Sequence, residues 1–346
     1  MPFTIAQQTL SYVNIPFNLK LMNSNQIIFI GLILLSLTVV LIGISSGSAN
    51  IQISELWLSI TSDTPTKFDT VIFELRLPRV FTAFAVGGLL AVSGVLMQVL
   101  LRNPLAEPYI LGSSGGAAVA ALLAMSYGLG SLWIDAAAFT GALFATFLVF
   151  GIATSSGNWG PSRLLLTGVV LASGFSAITT LILALSSEQT VRGMLFWMMG
   201  DLSFAYSPSH LLWLLFGITL ISSILSRYLD ILSRGEIQAS ILGVRIHLFR
   251  LTIFTLTAMA TALSVTAVGV IGFVGLVVPH TVRLITGSKH KIVIPASALA
   301  GGSLLVLSDT LARTILAPRQ LPVGALTAII GVPLFIILMR KSLNNR

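Results

Sequence analysis

Long apolar runs, separated by short breaks rich in glycine, proline and charge, restrict this chain more than any other feature of its sequence. Ten such runs occur, most of them near the ~20 residues that a helix needs to cross a bilayer. Only 9% of the 346 residues are charged and the mean hydropathy is +0.97, whereas soluble domains carry about 25% charge. The pattern predicts an all-α polytopic membrane protein, with residues 1–346 forming one transmembrane domain.

The breaks predict the limits of about ten transmembrane helices. These are 27–46, 80–101, 110–127, 132–154, 162–185, 210–227, 251–270, 272–286, 292–311 and 322–339. Residues 1–26 are polar and are followed by a run too long for a cleavable signal, so they are expected to be a cytoplasmic N-terminal segment. Two other connections stand out, 47–75 as a periplasmic loop and 228–250 as a charged segment between two spans.

The basic residues predict the orientation. Ten crossings place both termini on one side, and with the termini inside, most of the 19 Lys and Arg residues fall in the inner connections. Cytoplasmic loops carry such an excess of Lys and Arg. We therefore expect a multi-pass membrane protein with cytoplasmic N- and C-termini, and a cytoplasmic location for segment 228–250.

Segment 228–250 is predicted to contain a short helix parallel to the membrane surface. Ser233 and Glu236 have the spacing of a capping box, and Gly243 is suited to end a helix in the left-handed conformation. The helix would have about nine residues and a length of about 13 Å. Ile237, Ile241 and Leu242 would line one side of it. The residues concerned are Arg234, Gly235, Glu236, Ile237, Ile241, Leu242 and Gly243. It is either a simple surface helix or a docking element for a soluble partner.

Arginines on the predicted outer side oppose the charge trend. Arg76 and Arg79 flank Pro78 at the expected start of the second span, where the helix dipole disfavours positive charge. Arg313 follows the ninth span on the same side. These arginines either meet an acidic partner or snorkel and pair with nearby acids. The acids available are Glu74 and Asp69 for Arg76 and Arg79, and Asp309 for Arg313.

Several classes of chemistry find no support in the sequence. There is no cysteine, no GxxxxGK[ST] nucleotide-binding loop, no HExxH motif and no Ser/His/Asp arrangement. We expect no catalytic residue, metal site or cofactor, and no nucleic-acid partner, because basic clusters with interleaved aromatics are missing. Asp309 is the main acid within a span, so a set of buried groups for ion coupling is not evident. An active transporter of this kind would take its energy from a separate subunit.

A short internal repeat is also present. Gly94 stands eight residues before Arg102, and Gly275 stands eight residues before Arg283, each pair at the inner end of a predicted helix. Two halves related by pseudo-symmetry are common among transporters.

Eight motifs in chain order resemble those of the FecCD/BtuC family, the permeases of binding-protein-dependent ABC importers. They are Leu75-Arg-Leu-Pro-Arg79, Arg102-Asn-Pro-Leu-Ala-Glu-Pro108, Gly112-Ser-Ser-Gly115, Ser162-Arg-Leu-Leu-Leu166, Phe196-Trp-Met-Met-Gly200, Gly235-Glu236 with Leu242-Gly243, Gly272-Phe-Val-Gly-Leu-Val-Val-Pro-His280 with Arg283, and Leu321-Pro-Val-Gly324. The third motif departs from the more usual Gly-x-Ser-Ser-Gly-Ala, and Ser233-Arg234 replaces a small apolar pair.

The resemblance implies a BtuC-like, type II importer permease of the bacterial inner membrane that translocates a metal chelate and is not itself an enzyme. Its expected partners are a second permease subunit, most simply a second copy, two cytoplasmic ATPases that hold ATP and Mg, and a periplasmic or lipid-anchored binding protein. Iron(III)–siderophore is the first expected cargo, with haem or vitamin B12 as the alternative. An ion-gradient-driven secondary transporter is the alternative from another class.

The resemblance also implies roles for particular residues. Arg76, Arg79 and Arg313 match positions that meet glutamates of the binding protein. The stretch 234–243 matches the coupling helix that enters a groove of the ATPase. The inner gate is matched by Gly160, Pro161 and Ser162.

Overall fold

The computed structural model describes residues 24–47, 51–61, 66–155, 160–203 and 208–344. In these ranges all regular structure is helical. The α-helices are α1 (Ser24–Ser45), α2 (Ile53–Thr61), α3 (Leu77–Leu100), α4 (Ser113–Ser126), α5 (Ser131–Thr154), α6 (Pro161–Leu185), α7 (Glu188–Met198), α8 (Ser209–Ile224), α9 (Ser226–Ser233), α10 (Glu236–Ile241), α11 (Ile246–Val268), α12 (Val274–Thr286), α13 (His290–Thr314) and α14 (Val323–Asn344). A π-helical segment, Thr70–Arg76, precedes α3, and a 3₁₀ turn, Pro108–Leu111, precedes α4.

Each of the ten predicted spans coincides with apolar helix. Within the described ranges, six helices are long and apolar enough to cross a membrane, and α8 with α9 makes a seventh if this pair, bent by 59°, is one span. The remaining three predicted spans are shorter apolar helices, α4, α12 and the apolar part of α14. Residues 1–23 of the expected N-terminal segment lie outside the described residues.

The predicted start of the second span near residue 80 is wrong, because the helical run begins at Thr70 and continues to Leu100. Pro78 has no N–H and cannot continue the α-helical hydrogen-bond ladder into the preceding turn. A wider π turn accommodates such an interruption. Arg76 and Arg79 therefore lie within a continuous helix, and the dipole argument based on a helix start does not apply to them.

The expected loop 47–75 is also more regular than predicted. It contains α2, whose first turn is stabilised by a carboxylate of Glu55 that accepts the backbone N–H of Gln52 at 2.9 Å. Negative charge in the first turn of a helix is favourable. The segment continues into the π-helical turn before α3.

Helix α3 is the centre of the bundle and is buried along nearly its whole length. It packs against α8, α11, α12 and α13. Close packing depends on glycines: a Cβ on Gly87 would lie 2.3 Å from the carbonyl oxygen of Gly301, and one on Gly94 would lie 1.9 Å from that of Gly275. Small residues let helix backbones approach in this way. The two glycines of the sequence repeat are thus in direct contact.

The ends of α3 mark the two ends of the molecule. Arg79 lies near its beginning and Arg102 just after its end, about 35 Å apart at 1.5 Å per residue. This separation matches the ~30 Å hydrocarbon core of a bilayer. We call the two ends of the bundle the Arg79 end and the Arg102 end.

Candidate functional site: a surface helix at the Arg102 end and an arginine cluster at the Arg79 end

Helix α10 begins later than the sequence predicts and without the predicted capping box. It has six residues, and its N-cap is Gly235, whose φ of +134° strongly favours glycine. Ser233 is the last residue of α9, and its hydroxyl donates to the carbonyl of Asp230 at 2.8 Å. Because α9 extends this far, Ser233 is unavailable to cap α10.

The predicted end of this helix is confirmed. Gly243 has φ +79° and is in the left-handed region. Its N–H donates to the carbonyl of Ser240 at 2.9 Å, and the N–H of Val244 donates to that of Ala239 at 3.0 Å. These bonds satisfy carbonyls that the helix end leaves without partners.

The apolar side of α10 faces away from the rest of the chain. Ile237, Ile241 and Leu242 are 80%, 79% and 66% exposed, whereas Ala239 on the opposite side is fully buried. Exposed apolar clusters in a polar segment are typical of interaction surfaces. The predicted apolar side therefore exists and has no covering within the described residues.

Glu236 attaches the start of α10 to two other elements. Its carboxylate forms ion pairs with Arg102, just after α3, and with Arg250 in α11. Arg102 adopts φ +48°, a conformation that non-glycine residues rarely occupy. The sequence analysis named Glu236 but missed both partners, and the only signal for them was the presence of arginines beside the ends of predicted helices.

The residues predicted to form the inner gate lie together at the start of α6. Gly160 is the extended N-cap, Pro161 is the first helical residue and Ser162 is exposed. Proline suits this position because its missing N–H would have no helical partner there. Residues 156–159 before the turn lie outside the described part of the chain.

Helix α6 exposes most of its length and borders an open cleft of about 580 Å³. The cleft is lined on one side by Val169, Ser173 and Ser176 of α6 and on the other by Glu107. A carboxylate oxygen of Glu107 accepts the N–H of Phe273 at 2.8 Å, just before α12. Burial raises the pKa of Glu107 above its usual value, and this hydrogen bond opposes the rise.

Arg79 and Arg313 share one buried aspartate at the Arg79 end. Arg79 Nη2 lies 2.8 Å from Asp309 Oδ1, and Arg313 Nε lies 3.0 Å from Asp309 Oδ2. All three residues are buried. Removing these charges from water costs free energy, and the two ion pairs offset part of that cost, so loss of either partner would leave an uncompensated buried charge.

Arg313 and Arg76 also hold the end of α1. Arg76 Nη1 donates to the carbonyls of Ile44 and Ser45 at 2.8 and 2.7 Å, and Arg313 Nη2 donates to the carbonyl of Gly43 at 3.1 Å. The last carbonyls of a helix lack intrahelical partners and carry partial negative charge. The arginines therefore serve as a positive cap for α1.

These contacts agree with the internal-pairing interpretation of the outer arginines. The partner of Arg79 and Arg313 is Asp309, which the sequence analysis named for Arg313 alone. Asp69, another acid considered, accepts instead from the N–H of Thr66 at 2.9 Å. The role of Arg76, Arg79 and Arg313 in docking stays a prediction, and in this structure all three are buried.

Groups of three or more His, Cys, Asp or Glu residues that could hold a metal ion do not occur in the described part of the chain.

Comparison with known proteins agrees with the architecture. The profile of the FecCD transport family matches residues 28–341. A cobalamin import system permease protein, BtuC of Halobacterium salinarum, is 37% identical over 80% of this chain and 75% of its own length. A hemin transport system permease protein, HmuU of Yersinia pestis, is 34% identical over 92% of this chain and 97% of its own length.

A solved structure is also similar. An inward-facing metal-chelate type ABC transporter has a TM-score of 0.81 and 32% identity, and the match covers 91% of this chain and 99% of that one. The match extends over nearly the whole helical bundle, and the chain belongs to the FecCD transport family of permeases.

Proposed function

We propose that this chain is the permease subunit of an ATP-driven importer that carries a metal chelate, first of all an iron(III)–siderophore, across the bacterial inner membrane. Membership of a transport family and similarity to a metal-chelate ABC transporter support this proposal. In this proposal the permease catalyses no reaction, and a separate ATPase supplies the energy.

The observation that carries the proposal is the exposed apolar side of α10. Ile237, Ile241 and Leu242 project from a charged segment that cannot cross the bilayer. An apolar helix face of this kind fits a groove on a soluble partner. We assign that groove to a cytoplasmic ATPase, with both chain termini on the same side of the membrane as α10.

The ion pairs of Glu236 suggest how movement of the ATPase would reach the membrane. A displacement of α10 would act on the end of α3 through Arg102 and on α11 through Arg250. Movement of α6 would then open the inner gate at residues 160–162. The pathway needs no charged side chains that bind the cargo, because tight binding of the cargo there would slow its release.

A second permease subunit would complete the pathway. Helix α6 is apolar and largely exposed, and its exposed residues include Ser162, Ser173 and Ser176. We propose that this face meets a second copy of the chain around the pathway. The binding protein would dock at the Arg79 end, on the opposite side of the membrane from α10.

The central test is reconstitution of the permease with its ATPase in liposomes. Ile241→Asp would place a charge on the apolar side of α10 and should reduce ATPase association at least ~10-fold, as expected when a charge is desolvated at an interface. Gln238→Asp adds the same charge at an exposed polar position of α10 and serves as the matched control. Equal association of both variants would contradict the assignment of α10.

The same liposomes separate the proposed importer from a secondary transporter. Uptake should require ATP and the ATPase. Uptake driven by an ion gradient without the ATPase would refute the importer.

Cobalamin and haem are alternative cargoes, since relatives are named as permeases for these molecules. Titration of the partner binding protein with a ferric siderophore, haem and cobalamin would discriminate among them. Tight binding of haem or cobalamin alone would replace the siderophore assignment.

A further inference from the structure

An apolar groove separates α1 from α12 on the surface of the bundle. Helix α1 packs against α13 and α3, and beside these contacts a space of about 290 Å³ remains, lined by residues of α1, α12, α13 and α14. Side chains on both walls are open to the surroundings: Leu35 of α1 is 49% exposed and Ile285 of α12 is 61% exposed. The groove is therefore accessible to a molecule from the membrane.

The lining of the groove suits an alkyl chain. Its hydroxyl-bearing residues, Thr281, Thr286 and Ser303, each donate a hydrogen bond of 2.8–2.9 Å to the carbonyl four residues earlier in their own helix. The other lining residues are aliphatic. A polar ligand would lose its hydrogen bonds to water and find few replacements, and burying polar groups in this way costs free energy.

The groove has the depth of one leaflet. On α1 it extends from Ile28 to Val39, about 16 Å at 1.5 Å per residue. Half of the hydrocarbon core of a bilayer is ~15 Å thick. One acyl chain of a single leaflet therefore matches the groove in length as well as in polarity.

The groove opens toward the Arg102 end. The last turn of α1 is held by the arginine cluster at the Arg79 end, so Ile28, near the start of α1, lies on the opposite side. Thr286, the last residue of α12, also lines the groove. Arg283, one turn earlier, forms a hydrogen bond with Gln98 in the last turn of α3. The groove thus ends beside the connection between α12 and α13.

This connection carries positive charge. Lys289 and Lys291 are exposed, and within the described residues neither forms an ion pair with an acid. The Asp230 carboxylate reaches the same connection, but it accepts the backbone N–H of His290 at 3.0 Å and lies 2.6 Å from its Nδ1. Two ammonium groups therefore stand beside the end of an apolar groove.

We propose that an anionic phospholipid binds at this place, with one acyl chain in the groove and its phosphate at Lys289 and Lys291. Basic pockets between transmembrane helices on the cytoplasmic side bind anionic head groups in this way. The chain would fill the space between α1 and α12 and so stabilise the attachment of α1. The assignment to the cytoplasmic leaflet rests on the proposed function, which places α10 and the Arg102 end on that side.

The first test uses the full-length permease in detergent. Its melting temperature is followed as phosphatidylglycerol, or phosphatidylcholine with the same acyl chains, is added, because a ligand of the folded state raises it. At ~50 mM salt the wild type should bind phosphatidylglycerol at least ~10-fold more tightly, since each lysine near an anionic group contributes about fivefold. The preference should shrink at ~500 mM salt because exposed charges are screened.

Variants of the basic residues test the head-group site. K289Q/K291Q should bind the two lipids with affinities within about twofold of each other. R227Q/R245Q is the matched control, because it removes two exposed charges from the same end of the bundle outside the groove, and it should keep the wild-type preference.

Variants of the groove test the acyl-chain site. Leu35→Trp fills the groove and should remove the rise in melting temperature for both lipids. Leu37→Trp is the matched control: Leu37 is 57% exposed, lies outside the lining and points to the other side of α1. Ile285→Trp fills the groove from α12 and replaces Leu35→Trp if that variant does not fold.

Each outcome supports or overturns the inference. Loss of preference in K289Q/K291Q together with loss of the lipid effect in Leu35→Trp supports it. No rise, or equal rises with both lipids, in the wild type overturns the anionic site, and a wild-type response in Leu35→Trp and Ile285→Trp overturns the groove. Conversion of a dimer to monomers by Leu35→Trp, with an unchanged lipid response, would assign the groove to a second copy of the chain instead. All of these failures leave the proposed importer intact, because the measurements involve neither the ATPase nor transport.

Discussion

Gly94 and Gly275 lie so close that a Cβ on Gly94 would be 1.9 Å from the carbonyl oxygen of Gly275. This contact joins α3, the central helix, to α12. The two residues also occupy equivalent places in the sequence repeat. No side chain fits between the two helices where they cross, so the close approach of α3 and α12 depends on glycine at this point.

Gly94→Ala should therefore destabilise the protein. The methyl group must displace backbone, and overpacking of this kind costs about 1–3 kcal/mol. A fall in melting temperature in detergent would measure the effect. Gly217→Ala in α8 is the control, because a Cβ there meets nothing within 4 Å and alanine favours a helix more than glycine does. A Gly94→Ala variant as stable as Gly217→Ala would show that the contact is looser than described.

Arg79→Ala should be strongly destabilising. It removes one of the two cations that neutralise buried Asp309, and breaking a buried pair costs about 3–5 kcal/mol. Asp309→Ala should also destabilise, and the double variant should lose less than the sum of the single losses, since the residues interact directly. Thermal unfolding of the four proteins measures this coupling. Arg192→Ala, an exposed arginine near the same end, should unfold like the wild type; additive losses for Arg79 and Asp309 would contradict the pairing.

Glu236→Gln should uncouple ATP hydrolysis from transport. The neutral side chain weakens the ion pairs to Arg102 and Arg250, while the exposed apolar side of α10 is unchanged. We expect the ATPase to bind normally and the cargo transported per ATP to fall about fivefold, at the low end of measured coupling energies. Parallel uptake and hydrolysis assays measure the ratio. Gln238→Glu on the same helix should leave the ratio unchanged, and an unchanged ratio in Glu236→Gln would remove the coupling role.

Glu107→Gln should reduce the pH dependence of stability. Burial raises the pKa of Glu107 in the folded protein above 4.5, its ordinary value in an unfolded chain. Between the unfolded and the folded pKa, the folded protein therefore binds more protons than the unfolded chain. The contribution of this group to stability is therefore greatest below pH 4.5 and declines as the pH rises through the folded pKa. Glutamine keeps an oxygen for the Phe273 N–H and does not titrate.

Melting temperatures from pH 5 to pH 8 would test this prediction. The decline with pH should be smaller in Glu107→Gln than in the wild type. Glu188→Gln, at the exposed start of α7, should follow the wild type. Parallel curves for Glu107→Gln and the wild type would show that Glu107 does not titrate differently in the folded state.

Local patterns determined much of the helical structure. Apolar runs predicted all ten apolar segments, because the thickness of a bilayer limits the length of each run and a helix satisfies its own backbone. Gly243 was also predictable, since only a few residues adopt the left-handed conformation readily. The apolar side of α10 followed from the spacing of Ile237 and Ile241.

Other features depended on the tertiary structure. Asp309 meets Arg79, which is 230 residues away, whereas sequence proximity suggested acids in the same loop as the arginine. The helix before α3 extends to Thr70 through a π-helical turn that no spacing in the sequence marked. The exposed arginines at the Arg79 end proved to be Arg192 and Arg319.

By itself the sequence determined which segments are helical, because hydrogen bonds within a helix and contact with lipid depend on neighbouring residues. Only the tertiary structure decided which charges are buried and which are exposed. That outcome depends on how helices distant in the sequence pack, and in particular on the glycine contacts that bring α3 against α12 and α13. Once those backbones meet, Arg79 has Asp309 as its partner, whereas Arg192 stays exposed.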